Sequence, residues 1–320
     1  MKEIVIDAAQ KGQRLDKFVL KYLNKAPASF VYKMLRKKNI KLNDKRASGN
    51  ELLNEGDSIK LFFSDETVSL FRQEKGEIKK TSSLPEIIYE DENIIALNKP
   101  AGLIVHPDVN HKTDTLNDRI IYYLYSKGEY LPGDVFKPSV CNRLDINTSG
   151  VVVAGKNYAA LRELSRAFKE HSLKKEYLTV VKGEIKTPGQ IEGYLAKTEG
   201  NFVTIFPQKE KNTKYVKTLY SPIKVRDGFT LLNVELLTGK SHQIRACLSY
   251  IGHPIVGDGK YGDMNTNRYF YGFGLKNQLL HAKRLTLFTE NELKYLWGKE
   301  LVAPENHVFK RVLKGLNLNV

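Results

Sequence analysis

Arg143 and Asp145 stand two residues apart in the stretch Cys141-Asn142-Arg143-Leu144-Asp145-Ile146-Asn147-Thr148-Ser149-Gly150. On extended chain both side chains leave the same face. The Asn-Thr-Ser-Gly run has turn chemistry: it can hold a sharp bend and offer backbone N–H groups. Val151-Val152-Val153-Ala154-Gly155 then reads as an apolar strand, with a helix from about Tyr158. A charged pair between apolar strand residues is costly unless it is paired or used. Two readings fit these residues. Asp145 is a catalytic carboxylate, or the pair is an ordinary strand-end ion pair.

Other chemistries find less support. Thr238-Gly239-Lys240-Ser241 resembles half a phosphate-binding loop, but the preceding glycine at the required spacing is absent, which excludes that nucleotide site. Ser149 or Ser241 with a histidine could serve a hydrolase, but neither sits in a nucleophile elbow. The two cysteines, Cys141 and Cys247, form neither a metal-ligand pattern nor a disulfide framework. The seven histidines lack zinc-site spacing. No metal and no cofactor are expected. The opening Met1-Lys2-Glu3-Ile4-Val5-Ile6-Asp7 has too short an apolar run for a signal peptide, and no run approaches the roughly 18 apolar residues of a membrane span. A cytoplasmic monomer with no membrane partner is expected.

Charge points to a polyanionic partner. The 320 residues carry 51 Lys and Arg against 36 Asp and Glu, a net +15, together with 17 Tyr. That balance suits a nucleic acid. Residues 1–64 hold 14 Lys and Arg against 7 Asp and Glu, so about half the net charge lies in a fifth of the chain. There Leu15, Phe18, Val19, Tyr22 and Leu23 follow helical spacing. Pro27, Ala28 and Ser29 open a second helix with Phe30, Val31, Met34 and Leu35 inward and Lys33, Arg36, Lys37 and Lys38 outward. Short strands around residues 40–42 and 58–63 follow, with turns at Asn43-Asp44 and Glu55-Gly56-Asp57. This module resembles the ribosomal-protein S-four-like RNA-binding domain. The resemblance implies RNA contacts from Lys33, Arg36, Lys37, Lys38, Lys45 and Arg46.

The larger part also carries a resemblance. Residues 141–150 match the His-Arg-Leu-Asp-x-x-Thr-Ser-Gly signature of the RluA-type pseudouridine synthases, with Asn142 in place of the His. Asn98-Lys99-Pro100-Ala101-Gly102 through His106 resembles the family's Asn-Lys-Pro-x-Gly-x-x-x-His motif, which braces the floor of the site. Lys175-Glu176-Tyr177 resembles its Lys-x-Tyr motif. Thr238 to Arg245 resembles Thr-Gly-(Arg/Lys)-x-His-Gln-Ile-Arg, and the segments His253–Gly262 and Leu279–Ala282 match two further family stretches. The resemblance implies that Asp145 is the catalytic carboxylate and that Arg245 pairs with it bidentately. It also implies that Tyr177, a catalytic residue, stacks on the target uracil and assists proton removal, and that Leu280 packs against the base. Arg143 then grips RNA or helps to turn the base out. The order of modules is closest to synthases acting on large-subunit ribosomal RNA, of the RluC/RluD kind. A non-catalytic RNA-binding or ribosome-assembly protein retaining the fold is the competing reading. It accounts for the basic module but not for Asp145, Tyr177 and Arg245 together.

The elements that must position these groups read as an α+β fold. Residues 1–64 form the RNA-binding module and 65–84 a linker in which Val68, Leu70 and Phe71 can dock locally. Residues 85–320 form a catalytic domain with a mixed, largely antiparallel sheet flanked by helices. Within it, Thr115 and Asn157 are candidate helix caps. Glu90–Asn93, Gly200-Asn201 and Arg226-Asp227-Gly228 are hairpin turns, and residues 305–316 form a closing amphipathic helix.

Overall fold

The computed structural model describes residues 1–73, 76–109, 113–198 and 202–319. The basic module contains β1 (Lys2–Val5), α1 (Leu15–Tyr22), α2 (Ala28–Arg36), β2 (Ile40–Leu42), β3 (Lys45–Arg46) and β4 (Ser58–Leu61). Its strands form a sheet in the order β1-β4-β2-β3. The expected apolar stripe is buried: Leu15, Phe18 and Val19 from α1 meet Val31 and Leu35 from α2 over Ile40, Ile59 and Leu61. Asn43 and Asp44 both take positive φ in the two-residue turn between β2 and β3.

The stretch read as a linker begins with structure. Asp65–Phe71 is helix α3, and Ser64 caps it by accepting from the Thr67 N–H at 3.2 Å. Phe71 packs tilted against Phe30, centroids 4.5 Å apart, and Val68 joins the same core, whereas Leu70 faces solvent. Further along, Ile78 and Leu84 pack on the large domain's core instead.

The large domain contains β5 (Ile87–Glu90), β6 (Ile94–Lys99), α4 (Leu116–Ser126), β7 (Ser139–Val140), β8 (Ser149–Gly155), α5 (Tyr158–Lys169) and β9 (Lys174–Lys182). Four antiparallel strands follow, β10 (Gly189–Lys197), β11 (Val203–Phe206), β12 (Lys214–Arg226) and β13 (Phe229–Leu236), with β10 between β11 and β12, so they are not a simple meander. Then come α6 (Gln243–Tyr250), α7 (Met264–Tyr271), β14 (Leu280–Thr286), a 3-10 turn (Asn291–Leu296), β15 (Glu300–Val302) and α8 (His307–Gly315). The strands build one sheet in the order β11-β10-β12-β13-β9-β14-β8-β6-β5, with β15 on β14 and β7 on β8. The fold is α+β. The Gly200-Asn201 turn lies outside the described residues.

Local chemistry sets these boundaries. Thr115 and Asp118 make a reciprocal capping box at α4, and Asn157 accepts from the Ala160 N–H at 2.9 Å to start α5. The β12–β13 hairpin turns on Asp227 (φ 50) and Gly228 (φ 77), the pair of left-handed residues a two-residue loop needs. Strand β8 is buried on both faces, as its unbroken apolar run requires. Val151 and Val153 meet Ala160, Leu164 and Ala167 of α5. Val152 and Ala154 meet Ile120, Ile121 and Leu124 of α4. On the other half of the sheet, α6 covers the face of Val181, Leu232 and Val234, and α7 with α8 covers the face of Val180 and Leu231. Among the described residues, no helix is long and apolar enough to cross a membrane.

One seam of this sheet is parallel. Strand β8 runs alongside β14 with His281 opposite Ser149 and Ala282 opposite Gly150, while every other described strand pair is antiparallel. Gly150 has φ +116, and a Cβ there would lie 2.2 Å from the Ala282 carbonyl oxygen. Gly150→Ala is therefore expected to force the seam apart and cost about 3 kcal/mol. Gly228→Ala, in open space at a turn, costs about 1–2 kcal/mol for its left-handed backbone alone. Urea unfolding of the two variants against wild type checks the difference.

Candidate active site

The Arg143–Asp145 stretch lies between β7 and β8 as a loop, held by backbone atoms on both sides. The Asp145 carbonyl accepts from the Thr148 N–H at 3.0 Å, closing a tight turn. The Ile146 carbonyl accepts from the Gly102 N–H at 2.8 Å and from Lys99 Nζ at 2.9 Å. Lys99 is fully buried and also donates to the carbonyls of Pro100 (2.9 Å) and Leu103 (2.7 Å). Burial pushes its ammonium down to about 7, and the charge of Asp145 opposes that fall. Three carbonyl acceptors match the three N–H bonds of the charged form. Lys99 thus ties the loop after β6 to the turn that carries Asp145. Asn142, the departure from the family signature, donates to the Val151 carbonyl (3.1 Å) and accepts from the Val153 N–H (2.9 Å). Its amide extends the ladder of β8, work that needs no titratable group.

Asp145 meets Arg245, which lies 100 residues away in the chain. Arg245 Nη1 donates to Asp145 Oδ2 at 2.9 Å. The bidentate pairing expected here belongs to a different carboxylate. Arg245 Nε and Nη2 donate to Oδ2 and Oδ1 of Asp258 at 2.7 and 2.9 Å, and Asp258 is completely buried. The fork is occupied by Asp258, so Asp145 receives a single bond. Backbone N–H groups of Lys260 and Tyr261 complete Asp258 at 2.9 and 3.0 Å. Burial works against the guanidinium, but Asp258 and then Asp145 outweigh it and raise Arg245 above its usual range. Burial also works against the Asp258 charge, yet Arg245 and the two N–H donors hold its carboxyl below the usual value.

Asp145 stays about one-quarter exposed and lines a cleft of about 1200 Å³. Tyr177, Leu280, Arg143 and Ala282 line the same cleft. Ala282 lies opposite Tyr177 across β9–β14 and opposite Gly150 across the parallel seam. Two small residues beside the tyrosine leave room against its ring. Burial, followed by the nearby charge of Asp145, raises the Tyr177 hydroxyl well above a free tyrosine, so it stays protonated at neutral pH. Leu280 is buried in the core and forms part of the wall. Arg143 is exposed, and its charge adds to burial in lowering His106 beside it.

A histidine closes the other side. His242 begins α6 in a left-handed conformation (φ 56). Its Nδ1 bonds the Tyr261 hydroxyl at 3.0 Å and its Nε2 lies 3.9 Å from Asp145 Oδ2. Burial lowers it against the pull of Asp145, so it is neutral at pH 7. The hydrolase pairing is present but inaccessible. The Ser149 hydroxyl lies 2.8 Å from His281 Nδ1, and the other ring nitrogen faces the Ala303 carbonyl at 3.1 Å, with both residues buried. Ser241 lines the cleft without a hydrogen bond to any histidine among the described residues.

The five residues proposed from the large domain, Asp145, Arg245, Tyr177, Arg143 and Leu280, thus meet in one cleft. The six cations of the basic module, Lys33, Arg36, Lys37, Lys38, Lys45 and Arg46, do not line it. All six are exposed: Lys33 and Arg36 on α2, Lys37 and Lys38 just past its end rather than on the helix as expected, and Lys45 and Arg46 in β3, and none has a carboxylate within ion-pair distance among the described residues.

The sequence profile described as RNA pseudouridylate synthase matches residues 93–250. The ribosomal large subunit pseudouridine synthase C of Rickettsia bellii is 32% identical over 91% of this chain and 93% of its own length. The chain belongs to the RNA pseudouridine synthase family. The corresponding synthase C of Vibrio parahaemolyticus is 29% identical over 97% of this chain and 95% of its own. The synthase D of Borreliella burgdorferi is 32% identical over 73% and 72%. The structure of human RNA pseudouridylate synthase domain containing 4 superposes with a TM-score of 0.59 at 22% identity, covering 73% of this chain and 94% of that one, a likeness of fold. The pseudouridine synthase is an isomerase.

In this synthase, sequence reasoning missed Asp258, His242 and the depth of Lys99. The only signal for the first was that Asp258 lies in the matched segment His253–Gly262. The network predicts a contrast in stability. Asp258→Ala leaves the buried Arg245 short of its main counter-charge and should cost about 3–5 kcal/mol. Asp145→Ala leaves Arg245 neutralised by Asp258 and should cost no more than about 1 kcal/mol. Chemical denaturation of both variants measures the contrast; equal destabilisation would contradict it. The contribution of Asp258 is complete above its unfolded value of 3.8 and is lost as pH falls through its lower folded value.

Proposed function

We propose that the protein isomerises specific uridines of large-subunit ribosomal RNA, with Asp145 as the catalytic carboxylate. The observation that carries the proposal is the 2.9 Å contact between Asp145 and Arg245 in the lining of an open cleft that also presents Tyr177 and Leu280. Relatives of nearly full-length similarity are named as synthases of the ribosomal large subunit, which supports this class of RNA. Such a substrate places the protein in the cytoplasm, and we take it to act as a monomer. Residues 1–64, followed by the stretch 65–84, form an RNA-binding module separate from the catalytic domain 85–320. Its cations Lys33, Arg36, Lys37, Lys38, Lys45 and Arg46 grip phosphates, which sets position without choosing the base.

The reaction breaks the bond between ribose C1′ and uracil N1 and joins C1′ to C5. The C5 proton leaves, N1 gains one, and no net oxidation occurs. A stacked or paired uridine must first turn out into the cleft. Tyr177 then offers a face to the base, worth about 1–3 kcal/mol of stacking, and Leu280 bounds its other side. Arg143 at the rim holds the strand or occupies the space the base leaves. Asp145 is ionised, oriented by Arg245 and partly shielded from water. It supplies the negative oxygen needed whether it attacks the sugar, attacks the ring or removes a ribose proton.

Asp145→Asn should lower pseudouridine formation about 1000-fold or more, an increase of about 4 kcal/mol in the barrier, while RNA affinity stays within about threefold of wild type. Retained turnover by this variant would remove Asp145 from the chemistry. Ribosomal RNA from a strain lacking the gene should lose pseudouridine at the target positions and regain it with the wild-type protein. An unchanged pseudouridine map would assign the activity to another RNA. Neutralising Lys33, Arg36, Lys37 and Lys38 together should weaken binding and flatten its dependence on salt, by about 0.7 in log–log slope for each phosphate left without its cation.

A further inference from the structure

His171, Lys175 and Lys240 come from three separate elements and face the same cleft. His171 follows α5, Lys175 lies in β9, and Lys240 lies in the loop between β13 and α6. No carboxylate lies within ion-pair distance of any of them among the described residues. Their neighbours on the other face of β9 are different. Lys174 pairs with Glu176 at 3.1 Å and approaches Glu235 at 3.9 Å. Strand alternation thus sorts the charges, carboxylates behind the sheet and bare cations in front.

We propose that these three side chains form a seat for one phosphodiester of the RNA backbone, beside the nucleotide turned out against Tyr177. The inference rests on the reading of the cleft as an RNA-modifying site and adds where the strand is held. Lys175 and Tyr177 leave the same face of β9 about 7 Å apart, a separation that suits a phosphate and the base hanging from its nucleotide. Lys175 and Lys240 are half-buried. Burial and then the Lys240 charge lower Lys175; burial, then Lys175 and Lys240, lower His171. The two crowded lysine charges oppose folding and hold His171 toward its neutral form, and one anion between the three side chains relieves that crowding. His171 also takes φ +57 at the end of α5, a position where glycine or asparagine is usual. The negative end of that helix accounts for a cation at His171 but not for Lys175 and Lys240.

The test uses the full chain and an oligoadenylate with one central uridine, so that only one base suits the uracil pocket. Lys175→Ala/Lys240→Ala should weaken binding about tenfold and lower the salt slope by about 0.7, the share of one single-stranded phosphate. With unmodified ribosomal RNA transcript it should raise KM more than it lowers kcat. Lys175→Arg/Lys240→Arg should restore the slope, which separates missing charge from damaged folding. Neutral methylphosphonate linkages placed one at a time locate the phosphate that is held. Wild type should lose affinity at one linkage flanking the uridine, and the alanine variant should be insensitive there. Equal sensitivity of both proteins at every linkage, an unchanged salt slope, or no wild-type binding to the oligonucleotide overturns the proposal. Pseudouridine formation by wild type is scored separately. Turnover without the linkage-specific loss sinks the phosphate seat alone, and the loss without turnover on any RNA sinks the catalytic reading alone.

Discussion

A buried guanidinium shared by two carboxylates governs this molecule. Arg245 alone beneath the sheet would be prohibitively costly to desolvate. Asp258 meets it with a planar two-point contact, takes no solvent itself, and draws further N–H groups from its own loop. Of the three N–H bonds that remain, one on Nη1 is directed at Asp145. The three groups together carry a net charge of −1. Asp145 is therefore oriented by a cation whose charge is already largely answered elsewhere, and its own negative charge remains available to a substrate. A bidentate clamp on Asp145 would have fixed its direction equally well but spent both oxygens.

The surroundings follow from that requirement. Asp145 sits on the loop between β7 and β8, from which it reaches Arg245. The loop is rigid all the same, since Lys99 and Asn142 replace the missing ladder bonds with side-chain bonds to backbone. Gly150 and Ala282 keep the seam beside Tyr177 thin. The same row of the sheet thus supplies the aromatic face and the space in front of it.

Much of this was legible in the sequence because it is local. The caps Thr115 and Asn157, the Asp227-Gly228 hairpin, the apolar run of β8 and the two helices of the first module all depend on spacing or turn chemistry within a few residues. The meeting of Asp145, Tyr177, Arg245 and Leu280 came from motif resemblance, since nothing within any one segment dictates pairing across 100 residues. The details that differ are long-range. The Arg245 fork went to Asp258 because that acid is deeper and better supplied with donors. The stretch after residue 64 became a helix because Val68 and Phe71 found apolar partners in Phe30 and its neighbours. His242 near Asp145 could not be inferred, because a left-handed residue at a helix start is decided by the packing around Tyr261.

The strand order has a consequence for when the enzyme comes into being. Strand β14 lies between β8 and β9, yet it is synthesised long after both. Until residues 280–286 leave the ribosome, β8 and β9 have raw edges toward each other, and the half of the cleft built on β8 has no fixed distance from the half built on β9. Non-local pairing of this sort closes slowly and late. A nascent chain already holds every residue of the charged triad by Asp258, but it gains a working pocket only when the middle of the sheet is filled.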